Sequence, residues 1–315
     1  MRRHRTLAGT VLAVAALFAG ALSATSAAAA PVPSPPSTAA SFTPAQAPMG
    51  FWTAERMRAA TPLDLIRTAP GSLRAPKSGG EKTVIAPTAF PQPGGPWTGG
   101  GAVVKTSGRV FFTFQGRTAS CSGNSVTSQN GSTVITAGHC VKYQGSWHTN
   151  WVFVPAYNNG QAPYGQWSAT KTLATDQWAA SEDINYDVGA AVVAPLNGKT
   201  LAQTVGAQGL QFNGGYNKAM YAFGFPAADP YDGSKLIYCS GNSSKDFLFS
   251  QDHSLGCNMT GGSSGGPWFT SFSEATGTGL QVSVNSFGYT FWPNRMFGPY
   301  FGNEAKAVYD KAQVS

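Results

Sequence analysis

The sequence predicts an all-β domain behind a long leader, and three observations carry that prediction. Short apolar runs recur between residues 109 and 287, separated by pieces rich in Gly, Asn, Asp or Pro. Helical periodicity is almost absent between those runs. The stretch 97–315 holds all four cysteines and is long enough for one β domain or a pair of packed barrels.

Residues 1–30 read as an export signal. Arg2, Arg3 and Arg5 form a basic start, Leu7 to Leu22 an apolar stretch, and Ser26 to Ala30 a small-residue site for signal peptidase. Gly9, Thr10 and Gly20 interrupt the apolar stretch, which is shorter than a membrane span. The product is therefore expected to be secreted, extracellular and not held in a membrane. Removing the signal takes away three arginines and no acids, so the formal charge falls from +7 to +4. No Lys/Arg stripe remains, which argues against nucleic acid as a partner.

Residues 31–96 have a different character, with thirteen of the twenty-one prolines and no cysteine. Gly50 to Thr61 is the exception: Trp52, Met57 and Ala60 fall toward one side of a short helix that Pro62 ends. The position between signal and domain makes this a propeptide, expected to dock on the domain as an intramolecular inhibitor. A disordered linker is the competing reading. Arg74, Lys77 and Lys82 lie in proline-broken chain and offer cut sites.

Within the domain, strands are expected at Arg109–Phe114, Ser132–Thr136, Trp151–Pro155, Val188–Ala194, Ala219–Phe223 and Leu280–Phe287. Asn158-Asn159-Gly160, Asn213-Gly214-Gly215 and Asp229-Pro230 mark turns between them. The one clear helix is terminal, Asn303 to Gln313, with Asn303 as N-cap and Ala305, Val308 and Tyr309 as its buried stripe. Cysteines 121, 140, 239 and 257 suit an oxidising compartment and permit three pairings. Pairing neighbours, Cys121 with Cys140 and Cys239 with Cys257, would close two short loops, each bridge contributing roughly 3 kcal/mol.

Two separated motifs carry chemistry: Thr136-Ala137-Gly138-His139-Cys140 and Gly262-Ser263-Ser264-Gly265-Gly266-Pro267. A serine on a tight glycine turn offers its hydroxyl and two backbone N–H groups to one point, and a distant histidine can take the hydroxyl proton. Gly262-x-Ser264-x-Gly266 also fits the nucleophile elbow of α/β-hydrolases, but no histidine follows Ser264 as that fold requires. An acid-first order fails too, since no Asp or Glu lies between Glu81 and His139, and Asp64 belongs to the propeptide. The order His, Asp, Ser remains. Asp187 is the best acid, because it opens the apolar run Asp187-Val188-Gly189-Ala190-Ala191-Val192-Val193 and can be held out of water. Asp183, in the polar Ser181-Glu182-Asp183 turn, is the runner-up.

With these residues the chain resembles the chymotrypsin/trypsin-like serine peptidase superfamily, and within it the secreted bacterial branch near the glutamyl endopeptidases. The resemblance covers about 100–315. It implies two six-stranded antiparallel β-barrels with the active site between them, and it matches Cys121–Cys140 to the histidine-loop disulfide. It further implies an endopeptidase that works through an acyl-enzyme on Ser264. His139 acts as acid and base, Asp187 orients it, and the N–H groups of Gly262 and Ser264 form the oxyanion hole.

The departures matter as much. Ser263 stands where trypsin-like zymogens carry the aspartate that receives a new N-terminal ammonium, so activation is expected to work by unblocking alone. Asn258, at the expected base of the primary specificity pocket, is uncharged. Ser286, Phe287 and Gly288, within Asn285–Gly288, resemble the strand that binds substrate backbone, and Gly298–Gly302 a second wall. A neutral pocket beside Phe287 suits an apolar or small polar side chain before the scissile bond.

No cofactor or metal is expected: Cys257 is four residues from His253, but a disulfide would consume it, and no carboxylate cluster demands calcium. His148 and His253 read as surface or hydrogen-bonded histidines, and Trp147, Trp151, Trp167 and Trp178 as packing residues. The protein is expected to act as a monomer on protein or peptide substrates. An esterase or amidase with the same triad, and an inactive homologue that binds a partner in the cleft, are the competing readings.

Overall fold

The computed structural model describes residues 38–68, 72–73 and 90–315. The expected export signal and the basic residues 74, 77 and 82 lie outside the described residues. Six antiparallel strands close the first barrel, in the order Thr149–Pro155, Ser107–Phe114, Arg117–Val126, Thr133–Thr136, Gly189–Val193 and Trp167–Thr175, the last pairing back to the first. Period-two alternation sends Val110, Phe112, Trp151 and Phe153 into its core.

The intervening Phe111, Val152 and Val154 are buried too, on the outer face, under Trp52, Met57 and Ala60. An antiparallel sheet with one wet face shows alternating polarity, so the unbroken Trp151–Val154 run signals a cover. Residues 38–68 supply it. Thr53 caps the short helix Ala54–Ala59 by accepting from the Arg56 N–H. Upstream, Ala39–Phe42 adds an antiparallel strand to Thr172–Thr175.

The second half consists of two six-stranded sheets. One carries Thr278–Val284, Pro267–Ser273, Ala219–Gly224 and Ile237–Asn242; the other carries His253–Gly256, Trp292–Gly298 and Phe287–Tyr289. Met220, Cys239, Leu255, Cys257, Trp268 and Met296 fill the space between them. The fold is chymotrypsin-like: a closed barrel, a second sheet system and a C-terminal helix.

Gln92–Pro96, at the end of the expected propeptide, pairs with Ile237–Asn242 in the second sheet system. Several expectations need correction. The terminal helix spans Asn303–Gln313, but its N-cap is Gly302, without a side-chain cap, and Ala312 replaces Tyr309 in the buried stripe. The run 280–287 divides into Thr278–Val284 and Phe287–Tyr289, each in a different sheet. His148 and His253, read as surface or hydrogen-bonded, are both buried, and His148 is the hydrogen-bonded kind, bonded to the His139 carbonyl.

Candidate active site

The histidine loop begins where Thr133–Thr136 ends and turns through the 3₁₀ segment Gly138–Cys140. The Cys121–Cys140 disulfide ties that turn to the adjacent strand, and the second disulfide is Cys239–Cys257. Asp187 lies between the short turn Ile184–Tyr186 and the buried strand Gly189–Val193, fully out of solvent. Its Oδ1 accepts the His139 backbone N–H at 2.7 Å, and its Oδ2 accepts His139 Nδ1–H at 2.7 Å. The Ser286 hydroxyl donates to the same Oδ2 at 2.6 Å. Two contacts from one carboxylate fix both the turn and the ring tautomer of His139, leaving Nε2 as the free base. Asp183 instead caps the turn that leads to Asp187, accepting from the Asn185 N–H at 3.1 Å.

Four consecutive carbonyls of the loop are also held. His148 Nε2–H donates to His139 O at 2.8 Å, Trp151 Nε1–H to Cys140 O at 3.0 Å, and Trp178 Nε1–H to Lys142 O at 2.7 Å. The His148 backbone N–H takes Val141 O at 2.9 Å. His148 stacks on Phe112 with ring centroids 4.2 Å apart, and burial pushes its pKa down to about 3. It is therefore neutral, with its proton on Nε2.

The serine turn is built differently. Gly262 and Gly265 take φ of +92° and +81°, where side chains strain. A Cβ on Gly266 would lie 2.0 Å from the Phe223 carbonyl oxygen, so strand Ala219–Gly224 meets bare backbone. Asn285 anchors the turn: Nδ2 donates to Phe223 O at 2.8 Å and Ser263 O at 3.0 Å, and Oδ1 accepts from Trp268 Nε1 at 2.7 Å. Ser122 bridges from the first barrel, its N–H donating to Ser264 O at 2.7 Å and its hydroxyl to Gly262 O at 2.9 Å. Ser263 donates to Thr260 O at 2.8 Å.

A segment of the chain's own leader runs through this site. Thr61–Pro62 pairs with Ala119–Ser120, and Leu65–Thr68 pairs with Phe287–Tyr289, both parallel. Between them the Leu63 carbonyl oxygen accepts the Gly262 N–H at 3.0 Å and lies 3.4 Å from the Ser264 hydroxyl, which donates to it. His139 Nε2 has no hydrogen-bond partner. Asp64 packs against Gly261, and burial pushes its carboxyl up to about 6 while His139 pulls the other way.

The structure brings His139, Asp187, Gly262, Ser264 and Ser286 together, and the hydroxyl of Ser286 is engaged by Asp187. Phe287 and Gly288 form the strand edge that the leader occupies. Asn258 is held in place: its Oδ1 accepts from the Tyr231 hydroxyl at 2.6 Å and its N–H donates to Pro93 O at 2.8 Å. Sequence reasoning missed Asn285, His148, Trp151 and Trp178 as supports, and Leu63 and Asp64 as occupants of the site. Only Asp64 carried a signal, as the one aspartate between the signal region and His139. Among the described residues the one metal-type cluster is Cys121, His139 and Cys140. Its sulfurs share a disulfide and His139 Nδ1 is bound to Asp187, so this donor set does not fit a metal ion.

No family model matches the chain. An extracellular metalloprotease of Bacillus subtilis is 41% identical over 81 residues, and that match spans a quarter of each chain. Among solved structures, the protease Anisep from Arthrobacter nicotinovorans is 46% identical with a TM-score of 0.64, covering 67% of this chain and 96% of its own. The thermostable serine protease AL20, from an extremophilic microorganism, is 41% identical with a TM-score of 0.64, covering 68% and 99%. A Glu endopeptidase at 17% identity and TM-score 0.54 shares the fold.

Proposed function

We propose that this chain, which belongs to the chymotrypsin-like serine proteases and is a serine-type endopeptidase, cleaves peptide bonds through His139, Asp187 and Ser264. The observation that carries the assignment is the double contact of Asp187 with His139, at 2.7 Å each, beside a Gly262 N–H already bonded to a peptide carbonyl. Ser264 Oγ attacks the substrate carbonyl carbon as His139 Nε2 takes its proton. The electron pair of the C=O moves to oxygen, where the N–H groups of Gly262 and Ser264 receive it. Collapse expels the leaving amine, which collects the proton from His139, and water then repeats the cycle on the acyl-enzyme. Asp187 keeps Nδ1 protonated and stabilises the transient imidazolium.

Residues 38–68 act as the inhibitory part of a propeptide. Leu63 offers its carbonyl oxygen to Gly262, and the Ser264 hydroxyl donates to that oxygen instead of to His139. Nucleophile and base are thereby uncoupled. Some 67–68% of this chain matches nearly all of the two solved relatives, which leaves about a third of it without counterpart in them. The signal-like start, the two disulfides and the extracellular relative support secretion. Among the described residues no helix is long and apolar enough to cross a membrane.

Substrates are proteins or peptides with an apolar or small polar residue before the scissile bond, given the neutral Asn258 and buried Phe287. Processed protein assayed on a peptide library and on simple esters tests this reading. Peptide turnover lost in Ser264→Ala supports it; ester turnover alone moves the assignment to an esterase.

A further inference from the structure

The outer face of the first barrel is an apolar surface whose occupant is already on it. Phe111, Val152, Val154, Tyr157 and Phe225 form a patch outside the barrel core, and Trp52, Met57 and Ala60 of the leader bury it. Trp52 and Met57 retain only 3% and 1% of their exposure. Polar contacts fix the pairing: Trp52 Nε1–H donates to Asn150 O at 2.8 Å, and Gln166 Nε2–H donates to Trp52 O at 2.7 Å. A separate anchor lies upstream, where Ala39–Phe42 pairs with Thr172–Thr175 and Lys311 Nζ donates to Ala39 O at 2.5 Å.

These anchors lie outside the cleft, while the inhibitory contact at Leu63 lies inside it. Cutting the chain downstream of residue 73 breaks none of them. The strap 61–68 also stays tethered to its anchors, so its effective concentration at the cleft remains high. Bare, the patch would be a contiguous exposed apolar surface of the kind that marks an interaction site.

We propose that this face is a binding site for residues 38–60 of the chain's own leader, so that a single cut leaves a non-covalent, inhibited complex. Activation is then complete only when the leader is destroyed or displaced. The proposal rests on the endopeptidase reading for its consequence, but not for the binding itself.

A specific protease sequence inserted between residues 74 and 89 of the full chain allows the test. After complete cutting, gel filtration with intact mass measurement follows the fragment, and a fluorophosphonate follows Ser264. The expected result is co-elution of the fragment with the barrel domain and labelling at least tenfold slower than after fragment loss. Trp52→Ala or Met57→Lys should release the fragment. Added synthetic peptide 38–68 should restore the block, and peptide 61–68 alone should not. Separation of the wild-type fragment on cutting, or equal inhibition by peptide 61–68, overturns the proposal. Retention of the fragment, with no labelling even after it has been removed, upholds the binding site and instead contradicts the endopeptidase reading.

Discussion

The two halves of the candidate site are held by opposite means. Around His139, side chains grip the backbone: one carboxylate, one disulfide and three ring N–H donors converge on a single loop. Around Ser264, backbone packs closely on backbone between the Asn285 amide and the Ser122 hydroxyl: Gly265 and Gly266 leave no room for a Cβ, and Gly262 takes a positive φ. The difference has a physical source. The histidine must stay oriented while its charge changes, which distributed hydrogen bonds allow. The serine turn must present N–H groups at a fixed point, which a strained and over-determined turn allows.

The comparison predicts graded sensitivity on the histidine side and an abrupt one on the serine side. The largest effect belongs to Asp187→Asn, which keeps the shape but loses the tautomer control. Steady-state kinetics should give kcat lower by about 10⁴-fold with KM little changed. Gly266→Ala comes next: its Cβ would fall 2.0 Å from Phe223 O, so the turn must open. Denaturant unfolding should register a loss of about 3 kcal/mol or more, together with loss of fluorophosphonate labelling. A fully active Gly266→Ala protein would break the comparison.

His148 sharpens it. His148→Phe keeps the stack on Phe112 but removes the donor to His139 O, and should lower kcat about tenfold, one net hydrogen bond. His148→Gln, which keeps a donor, should recover most of that loss; equal losses in both would reduce His148 to packing. Acid stability gives a second readout. Burial holds the His148 pKa at about 3, below its ordinary 6.5, so the unfolded chain binds the extra proton first. Stability should therefore fall as pH drops below about 6.5, and His148→Gln should flatten that slope in urea titrations.

The smallest effect concerns the occupant. Asp64 is pushed up to about 6, so the docked leader favours the neutral carboxyl. Docking should be strongest below the ordinary carboxylate range and should weaken as pH rises through about 6, with His139, backed by Asp187, the ionisable group that faces Asp64. In the cut chain, Asp64→Asn should abolish that pH dependence and slow fragment release at pH 8.

Much of this was legible in residue order. The β class followed from the spacing of short apolar runs, and the His, Asp, Ser order from the absence of any histidine after Ser264. What escaped had weak local signals. Arg117–Val126 is almost wholly buried yet reads as polar, because Ser122, Ser125 and the Asn124 amide N–H donate to partners on other segments. Asn285 resembles any strand polar residue until Phe223 and Ser263 are folded against it. The double-sided apolar runs at 110–112 and 151–154 did hint at a cover, but pairing them with Trp52 needed the fold.

The central claim is that Ser264 is an activated nucleophile that the leader uncouples from His139. Mapping fluorophosphonate adducts by peptide mass spectrometry, on full-length and leader-free protein side by side, tests it directly. The account predicts an adduct on Ser264 that forms quickly only after residues 38–68 are gone, and none in leader-free His139→Ala. Rapid labelling with the leader still docked, or no labelling of folded leader-free protein, would contradict it.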